Sequence, residues 1–207
     1  MEKSKELELF RKIPHMITGI IYLAAFLYLG YSKVFVWGSC IVVCASILGI
    51  FLVRYVPWWH QVFRSMIREG NPIKGIGVPM YFGGMFIACS FHYFFGIPKD
   101  VVVYAIITLA IGDGIATIVG KSHLGVCRPF GYAKSYSGMI VGIILSLIVS
   151  GCFLIMFEME LNTFRILMYV TIGMIIEFLL VHKKAHKYCL DNFVIPFGIV
   201  LLSIACE

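Results

Sequence analysis

Seven apolar runs, each near the length at which an α-helix crosses a bilayer, leave this chain few folds to choose from. They cover approximately residues 13–29, 34–53, 76–96, 101–120, 137–157, 164–181 and 193–205. A hydrocarbon core takes about 20 helical residues, and inside it only helices and closed barrels satisfy their own backbone groups. Runs of this length without two-residue alternation predict helices. With 60% hydrophobic and 14% charged residues and a mean hydropathy of +0.94, little polar sequence is left for a soluble domain. The expectation is an all-α polytopic integral membrane protein, about seven transmembrane helices in one domain over residues 1–207. The last run is short and holds Pro196, so a segment that only dips into the bilayer stays open there. The first twelve residues carry both signs of charge, and no small-residue cleavage site follows them, so helix one reads as retained rather than as a signal peptide.

Loop charges give the orientation. Lys and Arg fall as four in residues 1–12 (Lys3, Lys5, Arg11, Lys12), four between runs two and three (Arg54, Arg64, Arg68, Lys74), three between four and five (Lys121, Arg128, Lys134) and three between six and seven (Lys183, Lys184, Lys187). The other side has Lys33, Lys99 and Arg165. The positive-inside rule then assigns a cytosolic arm, 1–12, and cytosolic loops at 54–75 and 121–136, with the N-terminus in the cytosol. The net charge of +6 therefore describes one face, suited to anionic headgroups or a nucleotide polyphosphate. Nucleic acid is a poor candidate as a partner, because these bases are scattered over short loops without a reading domain.

The seven cysteines contain no Cys-x-x-Cys pair and fall mostly in apolar runs, so neither a disulfide framework nor a zinc site is indicated. His182 and His186 share a helical face without a third ligand. Residues 54–68, rich in aromatics and bases around Trp58 and Trp59, predict an interfacial amphipathic helix that anchors the chain or gives lipid access. The turn Glu69 to Gly75 bears both charge signs and can contribute donors to a site.

Within run four, Gly112-Asp113-Gly114-Ile115-Ala116-Thr117-Ile118-Val119-Gly120-Lys121 puts an acid among apolar residues. An ionisable group in hydrocarbon costs roughly 3 kcal/mol on insertion scales and marks a functional site by default. Gly112, Ala116 and Gly120 recur at four-residue spacing, as do Gly138, Gly142, Ser146 and Ser150, so helices four and five are expected to pack closely with Asp113 beside their seam. Asp113 lies seven residues, about 10 Å, from the cytosolic end at Gly120.

The loop from Lys121 to Gly138 supplies Lys121, Arg128, Lys134 and Ser135 and ends at a helix N-terminus, whose free N–H groups and dipole favour an anion. A carboxylate able to hold Mg²⁺, followed by cations and such a terminus, suits phosphate chemistry. Glu177, near the cytosolic end of helix six, and Asp191-Asn192, before helix seven, converge on the same face, although that pair can also simply cap its helix. Arg11, Lys12 and His15 join them at the start of helix one.

These residues resemble the CTP-dependent lipid kinases, comprising phytol kinase, dolichol kinase and the yeast-type diacylglycerol kinase. Arg11-Lys12-Ile13-Pro14-His15 is similar to that family's Arg-Lys-x-x-His, and Gly112 to Lys121 to its Gly-Asp-x-x-Ala-x-x-Val-Gly-Arg/Lys. Lys134-Ser135-Tyr136-Ser137-Gly138 is similar to its Lys-Ser-x-x-Gly, and Glu177 with Asp191-Asn192-Phe193-Val194-Ile195-Pro196 to its closing Glu and Asp-Asp-Asn-x-x-x-Pro. The Gly-Asp-Gly form and the stretch from Gly75 to Tyr81 lean toward the phytol kinase branch. The chain departs from the pattern at Leu190, which replaces the first closing acid, at Met139, and in a stretch from Gly120 to Gly125 one residue longer than usual.

The resemblance implies transfer of the CTP γ-phosphoryl group to the hydroxyl of a membrane lipid alcohol: phytol, geranylgeraniol, a polyprenol or diacylglycerol. It implies Mg²⁺ on Asp113 with Asp191, and phosphate or nucleotide contacts from Arg11, Lys12, Lys121, Arg128, Lys134, Ser135, Gly138 and Asn192. The base for the alcohol proton stays open among Asp191, Glu177 and His15, with Asp113 and Lys121 completing the catalytic set. The runner-up enzyme is a phosphatidate cytidylyltransferase, which also uses CTP. A different class, a small ion-coupled transporter with Asp113 and Glu177 as relays, would need polar groups leading to both faces and an inverted repeat. The compact chain suggests a prokaryotic inner membrane, with the active site facing the cytosol.

Overall fold

The computed structural model of the chain describes residues 2–56, 58, 75–122, 135–180 and 191–206, with side chains from residue 11 onward apart from positions 54, 180 and 191. The described residues contain no strand. Their elements are α1 (Glu2–Leu29), α2 (Lys33–Tyr55), α3 (Gly77–Phe95), a continuous rod of α4 (Lys99–Ile107), a π-turn (Thr108–Gly112) and α5 (Asp113–Lys121), then α6 (Tyr136–Met156), α7 (Thr163–Leu180) and α8 (Asp191–Cys206). Each predicted apolar run is thus a helix. The chain is an all-α polytopic membrane protein: Arg11–Leu29, Lys33–Val53, Gly77–Phe95, Lys99–Lys121 and Tyr136–Met156 are long and apolar enough to cross a bilayer. Asn192–Cys206 is a shorter apolar helix.

Two features differ from the sequence reading. The arm at 1–12 is already helical, because its Glu, Lys and Leu are good helix formers and nothing before Pro14 interrupts them. The fourth rod is interrupted by a π-turn that ends directly at Asp113.

The rod from Lys99 to Lys121 is the axis of the bundle. Its apolar window is 83% buried, against 28% for α1, α3 and α6 and 11% for α2. Val101 to Leu109 are wholly enclosed, while α2 turns Val34, Trp37, Ile41, Leu48 and Phe51 outward, where lipid is the natural neighbour. One end of the bundle is closed by short turns. Gly30 and Gly96 take positive φ after α1 and α3, and Ser32 caps α2 by accepting from the Phe35 N–H at 3.3 Å.

The predicted close-packed seam is present. A Cβ on Gly142 would stand 2.9 Å from the Gly112 carbonyl oxygen, one on Gly112 would stand 2.8 Å from Ser146 Oγ, and one on Gly138 would overlap the Ala116 carbonyl oxygen. Small residues are therefore required by contact between backbones. On the other flank of the rod, Lys12, Met16, Gly19, Leu23 and Phe26 form one stripe of α1, with Met16 filling the space that a side chain on Gly114 would need.

Candidate active site

Asp113 opens α5 with its side chain only 3% exposed, and its burial is made tolerable by charge. Lys12 of α1, 8% exposed, forms a direct ion pair with Asp113 Oδ2. His15, one turn further along α1, brings Nε2 to 3.8 Å from the same oxygen and 3.3 Å from the Leu109 carbonyl oxygen. The second carboxylate oxygen, Oδ1, lies 3.4 Å from the Thr117 hydroxyl, one turn along α5. Residues at i, i+3 on α1 and i, i+4 on α5 thus meet across the seam between the two elements.

Tyr81 of α3 completes this wall. Its ring lies 3.8 Å from the His15 ring, and its hydroxyl donates to the His15 backbone carbonyl at 2.6 Å. Sequence reasoning did not single out Tyr81 as a site residue, nor Thr117. Thr117 follows Asp113 by four residues on a helix, which was a usable signal; Tyr81 offered none beyond its place in a phytol kinase-like stretch.

Several other predicted site residues gather at the same end of the bundle. Ser135 is buried and caps α6, accepting from the Gly138 N–H at 3.1 Å; a Cβ on Gly120 would stand 3.1 Å from its Oγ, so it adjoins the end of the central rod. Lys121 is exposed at that end, and Arg11 is half-buried. Tyr136 stacks on Phe178, beside Glu177, a residue only 1% exposed. Asn192 donates to the Gly77 carbonyl at 3.0 Å, tying α8 to the start of α3. Lys12, grouped with the phosphate ligands on sequence, is an ion-pair partner of Asp113 here. Arg128, Lys134, the His182/His186 pair, the 59–68 part of the interfacial segment and the Glu69–Lys74 part of its turn lie outside the described residues, as does the side chain of Asp191.

The opposite end has a different character. Arg165 pairs with Asp100 at 3.2 Å, Tyr104 donates to Asp100 at 3.3 Å, and Lys99, Glu160 and Asn162 border a cavity of about 300 Å³ there. Asp100 is thus partnered by both Arg165 and Tyr104.

Among the described residues no three His, Cys, Asp or Glu side chains gather into a metal cage. The carboxylate available beside the bundle end, Asp113, fits Mg²⁺ only in the manner of nucleotide sites, where one or two carboxylates are completed by phosphate oxygens and water.

Fold and site together define a helical membrane protein with a buried carboxylate, ammonium and imidazole cluster at one end of its bundle. Comparison with known proteins adds relatives to that class. A probable phytol kinase 1, chloroplastic, of Glycine max is 25% identical over 147 residues, covering 69% of this chain and 47% of the relative. A probable phytol kinase, chloroplastic, of Zea mays is 22% identical over 154 residues, 74% and 50% of the two chains. A probable phytol kinase 2, chloroplastic, of Oryza sativa subsp. japonica is 28% identical over 142 residues, 65% and 44%. No protein-family model matches the chain, and no solved structure matches it significantly. The resemblance carried by the motifs is borne out to this extent: the chain is similar to phytol kinases over about 70% of its length. It spans about half the length of the curated relatives it matches.

Proposed function

We propose that this chain is a membrane lipid kinase, which transfers the γ-phosphoryl group of CTP to the hydroxyl of an isoprenoid alcohol at the cytosolic face of its membrane. The observation that carries the reading is the Asp113–Lys12–His15 cluster, buried at the end of the bundle where the cation-bearing loop from Lys121 begins. Similarity to phytol kinases supports the reaction class; CTP as donor follows from the motif resemblance. The relatives' names say chloroplastic, which lends no support to a prokaryotic inner membrane.

Phosphoryl transfer asks a protein mainly to hold two reactants in line and to neutralise the charge spread over the phosphoryl oxygens. Arg11, Lys121, Arg128 and Lys134 are the cations assigned to the nucleotide, and the α6 N-terminus behind Ser135 adds donors at Gly138 and its neighbours. Asn192 would contact the nucleotide from α8. Mg²⁺, held by Asp113 and Asp191, would supply neutralisation of the β- and γ-phosphates. Among Asp191, Glu177 and His15 as acceptors of the alcohol proton, His15 is favoured by its proximity to Asp113 and by a 14% exposed ring. Lys12 balances the charge of the Asp113 carboxylate in its apolar setting through their direct ion pair.

The test is purified protein in detergent with γ-labelled CTP or ATP and a panel of phytol, geranylgeraniol, polyprenol and diacylglycerol. Label in an alcohol phosphate is the expected result. Incorporation of CMP with release of pyrophosphate would instead make the chain a cytidylyltransferase, and ion-coupled uptake in liposomes without either would make it a transporter.

A further inference from the structure

The π-turn Thr108–Gly112 is the one irregularity in the most buried rod of the described bundle, and it ends at the residue on which the site is built. π-turns insert one extra residue into a helix and recur at functional sites. Here the Asp113 N–H bonds the Thr108 carbonyl, five residues back. In a regular α-helix it would bond Leu109, four residues back. The Leu109 carbonyl is instead 3.3 Å from His15 Nε2.

A carbonyl oxygen only accepts, so His15 donates through Nε2–H, and the neutral ring then carries its lone pair on Nδ1. Asp113 Oδ2, 3.8 Å from the same Nε2, favours the same tautomer. Tyr81 holds the ring from the side and the His15 backbone through its hydroxyl. Gly19 lets the three elements close, since a Cβ there would overlap both Ala110 and the Tyr81 hydroxyl.

We infer that the π-turn is a positioning device for His15: it withdraws the Asp113 amide from Leu109, turns that carbonyl onto the imidazole and leaves Nδ1 as the nitrogen that faces chemistry. The geometric half stands on contacts alone; the assignment of a substrate hydroxyl to Nδ1 rests on the kinase reading above. Leu109, Gly19 and Tyr81 are in this sense positioning residues.

A single deletion isolates the device. Removing Ile111 makes Asp113 the fourth residue after Thr108, so the same Asp113–Thr108 bond becomes an ordinary α-helical one and both halves of the rod keep their alignment. Leu109 is then recaptured by the Gly114 N–H. Protein labelled with ¹⁵N-histidine, with His15 assigned by its loss in His15→Gln, is expected to show His15 in the Nε2–H form. The ΔIle111 protein is expected to remain monodisperse in detergent, to show a tautomer mixture, and to lose about 100-fold in kcat with nucleotide KM within about twofold.

A wild-type His15 protonated on Nδ1 overturns the inference, and so does a ΔIle111 protein with unchanged tautomer and kcat. Should ΔIle111 not fold, Tyr81→Phe with the same two readouts takes its place. If the wild-type protein phosphorylates no alcohol, the kinase reading fails separately, and the wild-type tautomer alone decides the positioning role.

Discussion

Exchanging Asp113 for asparagine replaces one carboxylate oxygen by an amino group of nearly the same size, so it removes charge without opening space. What it leaves behind is the Lys12 ammonium, 8% exposed and aimed at the former carboxylate. Breaking a buried ion pair from one side costs about 3–5 kcal/mol, because the surviving charge is left desolvated. Lys12 sits near the end of the bundle, where its four-carbon stem can carry the ammonium toward water, so the low end, about 3 kcal/mol, is expected. Lys12→Met should cost a similar amount by stranding the Asp113 carboxylate. The double substitution removes both charges and should cost about 3–4 kcal/mol, well short of the roughly 6 kcal/mol that independent losses would sum to, a coupling of about 2–3 kcal/mol. Denaturation in mixed detergent, followed by tryptophan fluorescence, measures the stability side of the cycle, and label transfer from γ-labelled CTP the other. Activity is expected to be absent from Asp113→Asn and from the double variant alike. Additive stability losses would refute the ion pair, and a double variant as active as the wild type would refute the role of Asp113.

Gly138→Ala drives a methyl group into the Ala116 carbonyl and is expected to cost about 1–3 kcal/mol of stability, whereas Gly151→Ala, with open space around it, should be neutral in the same melt. Asn192→Ala removes the bond from α8 to the Gly77 carbonyl and should lower stability by about 1 kcal/mol, read by the same denaturation. Arg165→Gln breaks the ion pair with Asp100 at the far end of the bundle, and turnover should stay within about twofold while the unfolding midpoint falls. In a cysteine-free background, a membrane-impermeant maleimide applied to intact cells should label Glu160→Cys and not Lys121→Cys; the opposite pattern would invert the orientation read from loop charge.

The seven rods were legible because hydrocarbon leaves a helix as the only local solution, so hydropathy alone marks them. The seam of Gly112, Ala116, Gly138 and Gly142 was legible for a related reason: backbones that touch leave no room for side chains, and the four-residue spacing records it. Asp113 stood out by the cost of its charge. Its pairing with Lys12 did not, since 101 residues separate the two and any of several cations could have met it. The π-turn had no signature at all. Thr108-Leu109-Ala110-Ile111-Gly112 reads as an ordinary apolar stretch, and the extra residue is fixed by what packs around it.

That irregularity bears on why the acid is where it is. In an uninterrupted α-helix the angular slot that Asp113 occupies against α1 would fall to the residue before it, Gly112, because one inserted residue turns the rest of the rod by about 100°. Gly112 has its own task on the other flank, where Ser146 and Met174 leave no space for a side chain. The π-turn thus lets adjacent residues serve opposite neighbours: Gly112 closes the seam with α6, and Asp113 meets Lys12 on α1. A pair that is neutral as a whole lowers the cost of holding an acid so deep, yet it brings no surplus positive charge for a polyphosphate. The surplus has to come from outside the pair. Arg11 and Lys121 border the same end, and Lys121 opens the sequence that carries Arg128 and Lys134; on the proposed kinase reading the buried cluster would hold the reacting centre and these cations would neutralise the nucleotide.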